Sequence, residues 1–190
     1  SDHTHNPQLV PWLEGTHNRY VAEIMRGCTR GCRFCQAGMF YRPTREREPE
    51  LIIRDILEGI RKNGWDEAGL LSLSSSDYTC IKPLLSELFN TLKSEGVSLA
   101  LPSLRVDSID DSLINLLNQI RKTGLTLAPE AGTQRLRDIV NKNINEEDLF
   151  QAVDFAKNNG FRIIKFYFMV GLPFETEEDL RKVYNFIDKN

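Results

Sequence analysis

Residues 26–35 read Arg-Gly-Cys-Thr-Arg-Gly-Cys-Arg-Phe-Cys, so that Cys28, Cys32 and Cys35 fall within eight residues of chain. Three thiolates at this spacing form a soft, anionic pocket of the kind that holds an iron–sulfur cluster or a zinc ion. The only other cysteine, Cys80, lies 45 residues further on. A four-iron cube bound by three thiolates keeps one iron without a protein ligand. The segment therefore predicts a cluster with one iron open to chemistry.

The residues between these cysteines suit an anionic cluster. Gly27 and Gly31 each precede a cysteine and let the backbone bend around an inorganic cube without a Cβ clash. Arg30 and Arg33 place positive charge beside it. We call residues 27–35 the cysteine loop, and we expect backbone N–H groups in this loop to donate to sulfur.

Two other uses of the cysteines stay open. A zinc site would need a fourth ligand, such as His17 or Cys80, but zinc ligands usually come as two spaced pairs and the chain has no second pair. A disulfide would leave one of the three cysteines odd. Both alternatives are less favoured than an iron–sulfur cluster.

The composition is that of a globular protein. The 190 residues are 41% hydrophobic and 27% charged with a net charge of −3, which predicts one domain and gives no basic footprint for nucleic acid. No run approaches 18 apolar residues and no signal peptide is recognisable, so we expect no membrane span and a reducing, cytoplasmic compartment. The chain begins without methionine, and we expect a fragment of a longer protein in which residues 1–18 form an N-terminal extension.

Strand-length apolar runs alternate with helical periodicity along the whole chain. This alternation predicts a parallel sheet with helices packed on it, curling into part of a (β/α) barrel of about five units with the sixth truncated. A closed eight-fold barrel needs about 250 residues. The predicted strands are Tyr20–Met25, Gly69–Leu73, Val97–Leu101, Leu125–Ala128 and Arg162–Val170.

The predicted helices follow these strands in turn. They are marked by apolar residues at spacings of three and four, by capping residues at their starts and by glycines at their ends. The six helices are expected to run from Pro49 to Gly64, around Leu84–Leu92, from Ser108 to Gly124, from Thr133, from Asn145 to Gly160 and from Thr176.

Every unusual motif comes directly after a predicted strand. In folds of this type, ligands bind at the carboxyl ends of the strands. We therefore expect one site, formed by the cysteine loop and by the segments 74–77, 102–105, 129–132 and 171–175.

The chain resembles the radical SAM superfamily. The resemblance rests on the cysteine spacing with Phe34 before the third cysteine, and it covers roughly residues 17–180. The strings 23–39, 127–136 and 165–173 look like a poorly characterised subgroup that often carries a cobalamin-type domain upstream. The resemblance implies an open, six-unit radical SAM barrel, here a single core domain over residues 1–190.

The resemblance also implies the cofactors and the reaction. It implies a [4Fe–4S] cluster on Cys28, Cys32 and Cys35, with S-adenosylmethionine (SAM) on the open iron. An electron from an external donor such as flavodoxin or ferredoxin would cleave SAM to methionine and a 5′-deoxyadenosyl radical, which abstracts hydrogen from an unknown substrate. The protein would position the reactants and exclude solvent. A non-enzymatic iron–sulfur module and a zinc-stabilised interaction domain are the competing functions.

Residues after the second and third predicted strands are implied SAM contacts. Ser74 and Ser75 occupy the place of the family's Gly-Gly-Glu-like motif, which receives the SAM amino group, although a polar turn or helix cap explains them equally well. Arg105 is suited to the SAM carboxylate, and a surface ion pair with Asp107 or Asp110 is its alternative.

Three further residues are implied at the cofactor. Glu130 resembles a family glutamate that binds the SAM ammonium or ribose, and its alternative is a charge near the helix start at Thr133. Gly171 is expected in an adenine-contacting turn, although Gly-Leu-Pro also ends strands. Phe34 completes the set.

The segment 41–48 carries three arginines, which are suited to phosphate, so an RNA substrate is conceivable. Its alternating glutamates favour a self-paired, solvated loop.

Overall fold

In a computed structural model of the chain, the residues described are 8–13, 18–100 and 125–188. They divide into two compact units. The first comprises residues 8–13, 18–26 and 45–100, and the second comprises residues 27–44 and 125–188. The predicted helix from Ser108 to Gly124 lies outside the described residues.

A three-stranded parallel sheet forms the centre of the first unit. The strands lie in the order β1 (Tyr20–Glu23), β4 (Glu67–Leu71), β5 (Ser98–Ala100), and Gly69 lies opposite Val21 on one side and Ala100 on the other. The elements of this unit are β1 (Tyr20–Glu23), β2 (Met25–Arg26), β3 (Arg45–Glu46), α2 (Pro49–Asn63), β4 (Glu67–Leu71), a 3-10 turn (Ser75–Asp77), α3 (Ile81–Ser94) and β5 (Ser98–Ala100).

Helices α2 and α3 bury their apolar faces in the first unit. Ile52 and Ile56 of α2 and Leu85 and Leu88 of α3 are fully buried, as their periodicity predicted. A Cβ on Gly59 of α2 would lie 2.1 Å from the Cε2 of Tyr20, so only glycine fits where α2 meets β1. The predicted end of α2 at Gly64 is confirmed, because Gly64 caps it in the left-handed conformation.

The first predicted strand is divided in two. Its parallel pairing ends at Glu23, and the fully buried Ile24 turns the chain. Met25 and Arg26 then pair antiparallel with Glu46 and Arg45, a ladder that apolar patterning does not reveal because each strand has two residues.

The second unit contains a parallel pair, β6 (Leu125–Glu130) and β7 (Ile164–Phe168). Its helices are α1 (Gln36–Phe40), α4 (Gln134–Ile139), α5 (Glu146–Asn158) and α6 (Glu177–Asp188). The predicted starts at Thr133 and Asn145 are confirmed: the Thr133 hydroxyl accepts from Leu136 N, and Asn145 forms a reciprocal capping box with Asp148. The short helix α1 was not predicted.

The hydrophobic core beside the cysteine loop is small. Ala131, Leu136, Val140 and Leu172 are buried together, and Phe34, Ile139 and Met169 pack against them. The parallel α/β architecture agrees with the predicted fold class. None of the described helices is both long and apolar enough to cross a membrane.

Candidate functional site

The cysteine loop connects β2 to α1 and carries three half-buried cysteines that form no disulfide. Cys35 caps α1, and its Sγ accepts a hydrogen bond from Gly38 N at 3.3 Å. The Sγ of Cys28 accepts from Arg30 N at 3.5 Å. Backbone N–H groups thus reach the sulfurs of Cys28 and Cys35, the arrangement that stabilises negative charge on thiolates.

Glycines set the path of this loop. Gly27 has a φ of 92° and Gly31 a φ of 71°, which confirms that the sharp bends require glycine. A Cβ on Gly27 would lie 2.6 Å from the carbonyl oxygen of Tyr41. Gly38 is buried beside the thiols, and a Cβ there would lie 3.4 Å from the Sγ of Cys35. The absence of a side chain on Gly38 leaves room beside the sulfur of Cys35.

The donor set fits a cluster better than a single ion. Within residues 8–13, 18–100 and 125–188, no three histidine, cysteine or acidic groups converge closely enough to share one metal ion. A cube binds each thiolate through a different iron, so its three sulfurs need not converge on one point. Cys28, Cys32 and Cys35 could hold such a cube, with soft thiolates as the only protein ligands.

Glu130 lies at the end of β6 and pairs with a lysine. Lys142 Nζ is 3.2 Å from its Oε1, and the two side chains are 12% and 16% exposed. The same ammonium lies 6.0 Å from the centroid of the Phe34 ring. Glu130, Lys142 and Phe34 therefore form one contact group in the second unit, which brings together two of the predicted cofactor residues.

Gly171 follows β7 in the left-handed conformation, with a φ of 87°. Its N–H donates to the Oε2 of Glu175 at 2.7 Å, so the carboxylate closes the turn. Three residues further on, Phe174 has a φ of 64° and a highly exposed ring.

Asp179 joins the starts of α4 and α6. It is 2% exposed and accepts hydrogen bonds from the Thr133 hydroxyl, from the N–H and hydroxyl of Thr176, and from the guanidinium of Arg135. Burial alone would raise the pKa of Asp179, but these donors outweigh it and lower the pKa to about 2. Gly132 makes the approach feasible, since a Cβ there would lie 2.3 Å from the carbonyl oxygen of Asp179.

Ser74 and Ser75 belong to the first unit and are both buried. The hydroxyls of Ser75 and Ser72 are hydrogen-bonded at 2.8 Å. Among the residues described, the Ser74 Oγ has no hydrogen-bond partner and makes no capping bond to the 3-10 turn. The Ser74 carbonyl accepts from Asp77 N at 3.1 Å and so begins the turn. A buried hydroxyl without a partner is uncommon, and a side-chain cap does not account for that of Ser74.

Arg105 and His17 lie outside the residues described. In the segment 41–48, Arg47 forms an ion pair with Asp55 and Arg42 donates to the carbonyl of Gly38 at 3.2 Å. Two of the three arginines of this segment thus make contacts within the chain.

Sequence reasoning missed Asn141 and Lys142, which follow α4. Asn141 has a φ of 54°, and its amide reaches the cysteine loop. An asparagine directly after a helix is a known signal for the left-handed conformation, but its partner 110 residues earlier has no local signature.

Comparison with protein families now identifies the chain. A family model described as the Radical SAM superfamily matches residues 22–187. The chain belongs to this superfamily, whose members are enzymes that use a [4Fe–4S] cluster and SAM.

Two relatives illustrate the range of the family. An uncharacterised protein of Methanocaldococcus jannaschii is 41% identical over 93% of this chain and 38% of its own length. The anaerobic magnesium-protoporphyrin IX monomethyl ester cyclase of Rubrivivax gelatinosus is 29% identical over 86% of this chain and 29% of its own length. The chain thus spans less than two fifths of either relative.

Among solved structures, the radical SAM methyltransferase TsrM from Kitasatospora setae, with cobalamin and a [4Fe–4S] cluster bound, has a TM-score of 0.73. It is 16% identical, and the match covers 90% of this chain and 34% of that one. This similarity confirms the α/β fold of the radical SAM partial barrel.

Proposed function

We propose that this chain is the catalytic domain of an enzyme that reductively cleaves SAM, with Cys28, Cys32 and Cys35 as the only protein ligands of its cluster. The observation that carries the proposal is the cysteine loop. It presents three cysteines that form no disulfide, glycines at its bends and N–H donors to sulfur, all within a chain of radical SAM sequence. When bound, such a cluster supplies the electron that splits the sulfonium of SAM and so generates a 5′-deoxyadenosyl radical.

Glu130 would orient the ribose of SAM. Its Oε1 already pairs with Lys142, so its negative charge is compensated before a nucleotide binds. A compensated carboxylate attracts a second ammonium weakly, yet it can still accept hydrogen bonds from neutral hydroxyls. This geometry favours the ribose over the amino group as the partner of Glu130.

The amino group of SAM would be received near Ser74. The Ser74 hydroxyl is buried, lacks a partner among the residues described, and can accept from an ammonium. Ser75, whose hydroxyl is bonded to Ser72, would support this turn through its backbone. Arg105 is proposed for the SAM carboxylate on the basis of sequence alone.

Gly171 and Phe34 complete the proposed cofactor site. The left-handed Gly171 carries no side chain, so a flat ring can approach its backbone closely. Phe34 packs on the core of the second unit and fixes the end of the cysteine loop. Its part is to position Cys35, which follows it.

The activity of the whole protein includes partners beyond this chain. We propose that residues 1–190 are a radical SAM core with an extension at 1–18, that flavodoxin or ferredoxin supplies the electron, and that the compartment is cytoplasmic. The substrate is open. The internal contacts of Arg42 and Arg47 weaken the argument for RNA without removing it.

Anaerobic reconstitution with iron and sulfide tests the proposal. We expect four irons per chain, one of which changes its Mössbauer signal when SAM is added, and 5′-deoxyadenosine after reduction. C28A, C32A and C35A should each abolish the cluster, and C80A, the matched control, should retain it. Four irons whose Mössbauer signals do not change when SAM is added would indicate an electron-transfer module. A tightly bound zinc ion in place of iron would indicate an interaction domain.

A further inference from the structure

The end of α4 contacts the middle of the cysteine loop. Arg33 N donates to the carbonyl of Val140 at 2.9 Å, and the Arg33 guanidinium donates to the carbonyl of Ile139. The side-chain amide of Asn141 donates to the carbonyl of Gly31 at 2.9 Å and to that of Arg30 at 3.2 Å. Four hydrogen bonds thus join two segments that are more than a hundred residues apart.

We propose that Asn141 is a positioning residue that fixes the backbone of the cysteine loop for cluster binding. This inference rests on the proposed function. Asn141 makes no described hydrogen bond to a cysteine side chain. Its amide instead binds the carbonyls of the two peptide groups that precede Cys32.

The geometry of the peptide bond links these carbonyls to the N–H groups that follow them. In a trans peptide the C=O and the following N–H point in opposite directions. Because Asn141 holds the carbonyls of Arg30 and Gly31, it also directs the N–H groups of Gly31 and Cys32 away from itself. N–H groups near a cluster set its reduction potential, so Asn141, by fixing these two peptide groups, would set how their N–H groups are presented to a bound cluster.

Two features show that the contact is specific. The left-handed conformation of Asn141, with a φ of 54°, turns its side chain back to the loop after α4 has ended. Gly31 faces it, and a Cβ on Gly31 would lie 3.4 Å from the Asn141 amide nitrogen. One NH₂ group has two hydrogens, which matches the two carbonyls it serves.

The test compares N141G with N143G in the reconstituted chain. Glycine tolerates the left-handed conformation, so N141G removes the two hydrogen bonds without introducing strain. Asn143 is an exposed asparagine of the same turn with a φ of 51°, and N143G is therefore a matched control. N141D, which puts a carboxylate against two carbonyl oxygens, should have a larger effect than N141G.

We expect N141G to lose iron to a chelator roughly tenfold faster than the parent chain, from the loss of two hydrogen bonds. We also expect a changed reduction potential in an EPR-monitored titration, which a merely structural role would not produce. N143G should match the parent in both measurements. Circular dichroism of the metal-free variants establishes that each is folded.

A failure of the inference about Asn141 is distinguishable from a failure of the proposed function. If the parent chain takes up no four-iron cluster, the proposed function is wrong. If the parent binds the cluster and N141G shows parental iron retention and potential, the inference about Asn141 is wrong while the proposed function stands. If N141G is unfolded without metal, the test uses N141D and N141S and measures hydrogen exchange of the Arg33 backbone amide. Protection equal to that of the parent in both variants overturns the inference, and faster exchange supports it.

Discussion

Lys142 Nζ lies 3.2 Å from the Oε1 of Glu130, whose own backbone has a φ of 69°. A residue other than glycine in this region costs on the order of 1–3 kcal/mol unless its surroundings hold it there. The ion pair with Lys142 and the hydrogen bond from Met169 N to the Glu130 carbonyl, at 2.8 Å, provide that hold. The carboxylate is therefore oriented before a nucleotide binds.

Replacement of Glu130 by glutamine should weaken SAM binding without loss of the cluster. Glutamine keeps the size of the side chain but removes the negative charge, and hydrogen bonds to charged groups contribute about 1.5–3 kcal/mol each. We expect the dissociation constant for SAM to rise at least about tenfold. Equilibrium binding to the reconstituted chain measures this. E147Q, on the exposed face of α5, is the control, and equal affinities for E130Q and the parent would contradict the assignment.

Replacement by alanine should affect mainly SAM affinity at Ser74 and mainly stability at Ser75. S74A removes a buried hydroxyl that lacks a described partner, so the free energy of unfolding should change by less than about 0.5 kcal/mol. S75A breaks the bond to Ser72 and should cost about 1 kcal/mol. SAM affinity should fall several-fold for S74A. Urea unfolding and SAM titration check both, and a destabilised S74A with parental affinity would refute the role of Ser74.

Gly27 should tolerate alanine much less well than Gly64 does. Both have a positive φ, but a Cβ on Gly27 meets the Tyr41 carbonyl at 2.6 Å, whereas a Cβ on Gly64 meets nothing within 4 Å. G64A should cost about 1–2 kcal/mol from backbone strain alone. The clash adds about 1–3 kcal/mol to the same strain in G27A, which should also bind less iron. Iron content and thermal unfolding of the pair measure this, and equal behaviour would show that the loop is not tightly packed at Gly27.

Asp179 should make stability depend on acid pH. Its pKa is about 2 when folded and 3.8 ordinarily, so the folded chain binds the proton less tightly than the unfolded chain does. Its contribution is complete above about pH 4 and is lost as the pH falls towards 2. D179N should lower stability at pH 7 by about 2–4 kcal/mol and flatten the acid dependence. Urea unfolding at pH 7 and pH 3 measures both, with exposed D154N as the control; an unchanged pH dependence in D179N would contradict the assigned pKa.

Much of the fold follows from sequence because its signals are local. The stripe Ile52, Ile56 and Ile60 defines one face of α2 within three turns, and Gly64 ends it. Thr133 and Asn145 mark the starts of their helices, because the side chain of each accepts a hydrogen bond from the backbone N–H three residues further on. Such signals need no knowledge of the rest of the chain.

The contacts of the site are less predictable because their partners are distant in sequence. The cysteine spacing identified the loop, but nothing near Arg30 reveals that Asn141 will hold its carbonyl. The partner of Glu130 is equally hidden, since Lys142 is one of nine lysines and nothing in its neighbouring sequence marks it. The division of the first strand at Ile24 depends on a two-residue ladder, which leaves no periodic trace.

The contact between Gly31 and Asn141 spans 110 residues, and this separation has a consequence for biosynthesis. A ribosome exposes all three thiols long before it has made the segment that shapes the backbone around them. A nascent chain interrupted before Asn141 would carry all three proposed cluster ligands and still lack the contacts that hold the loop. On the proposed function, we therefore expect stable iron binding only after translation has passed α4.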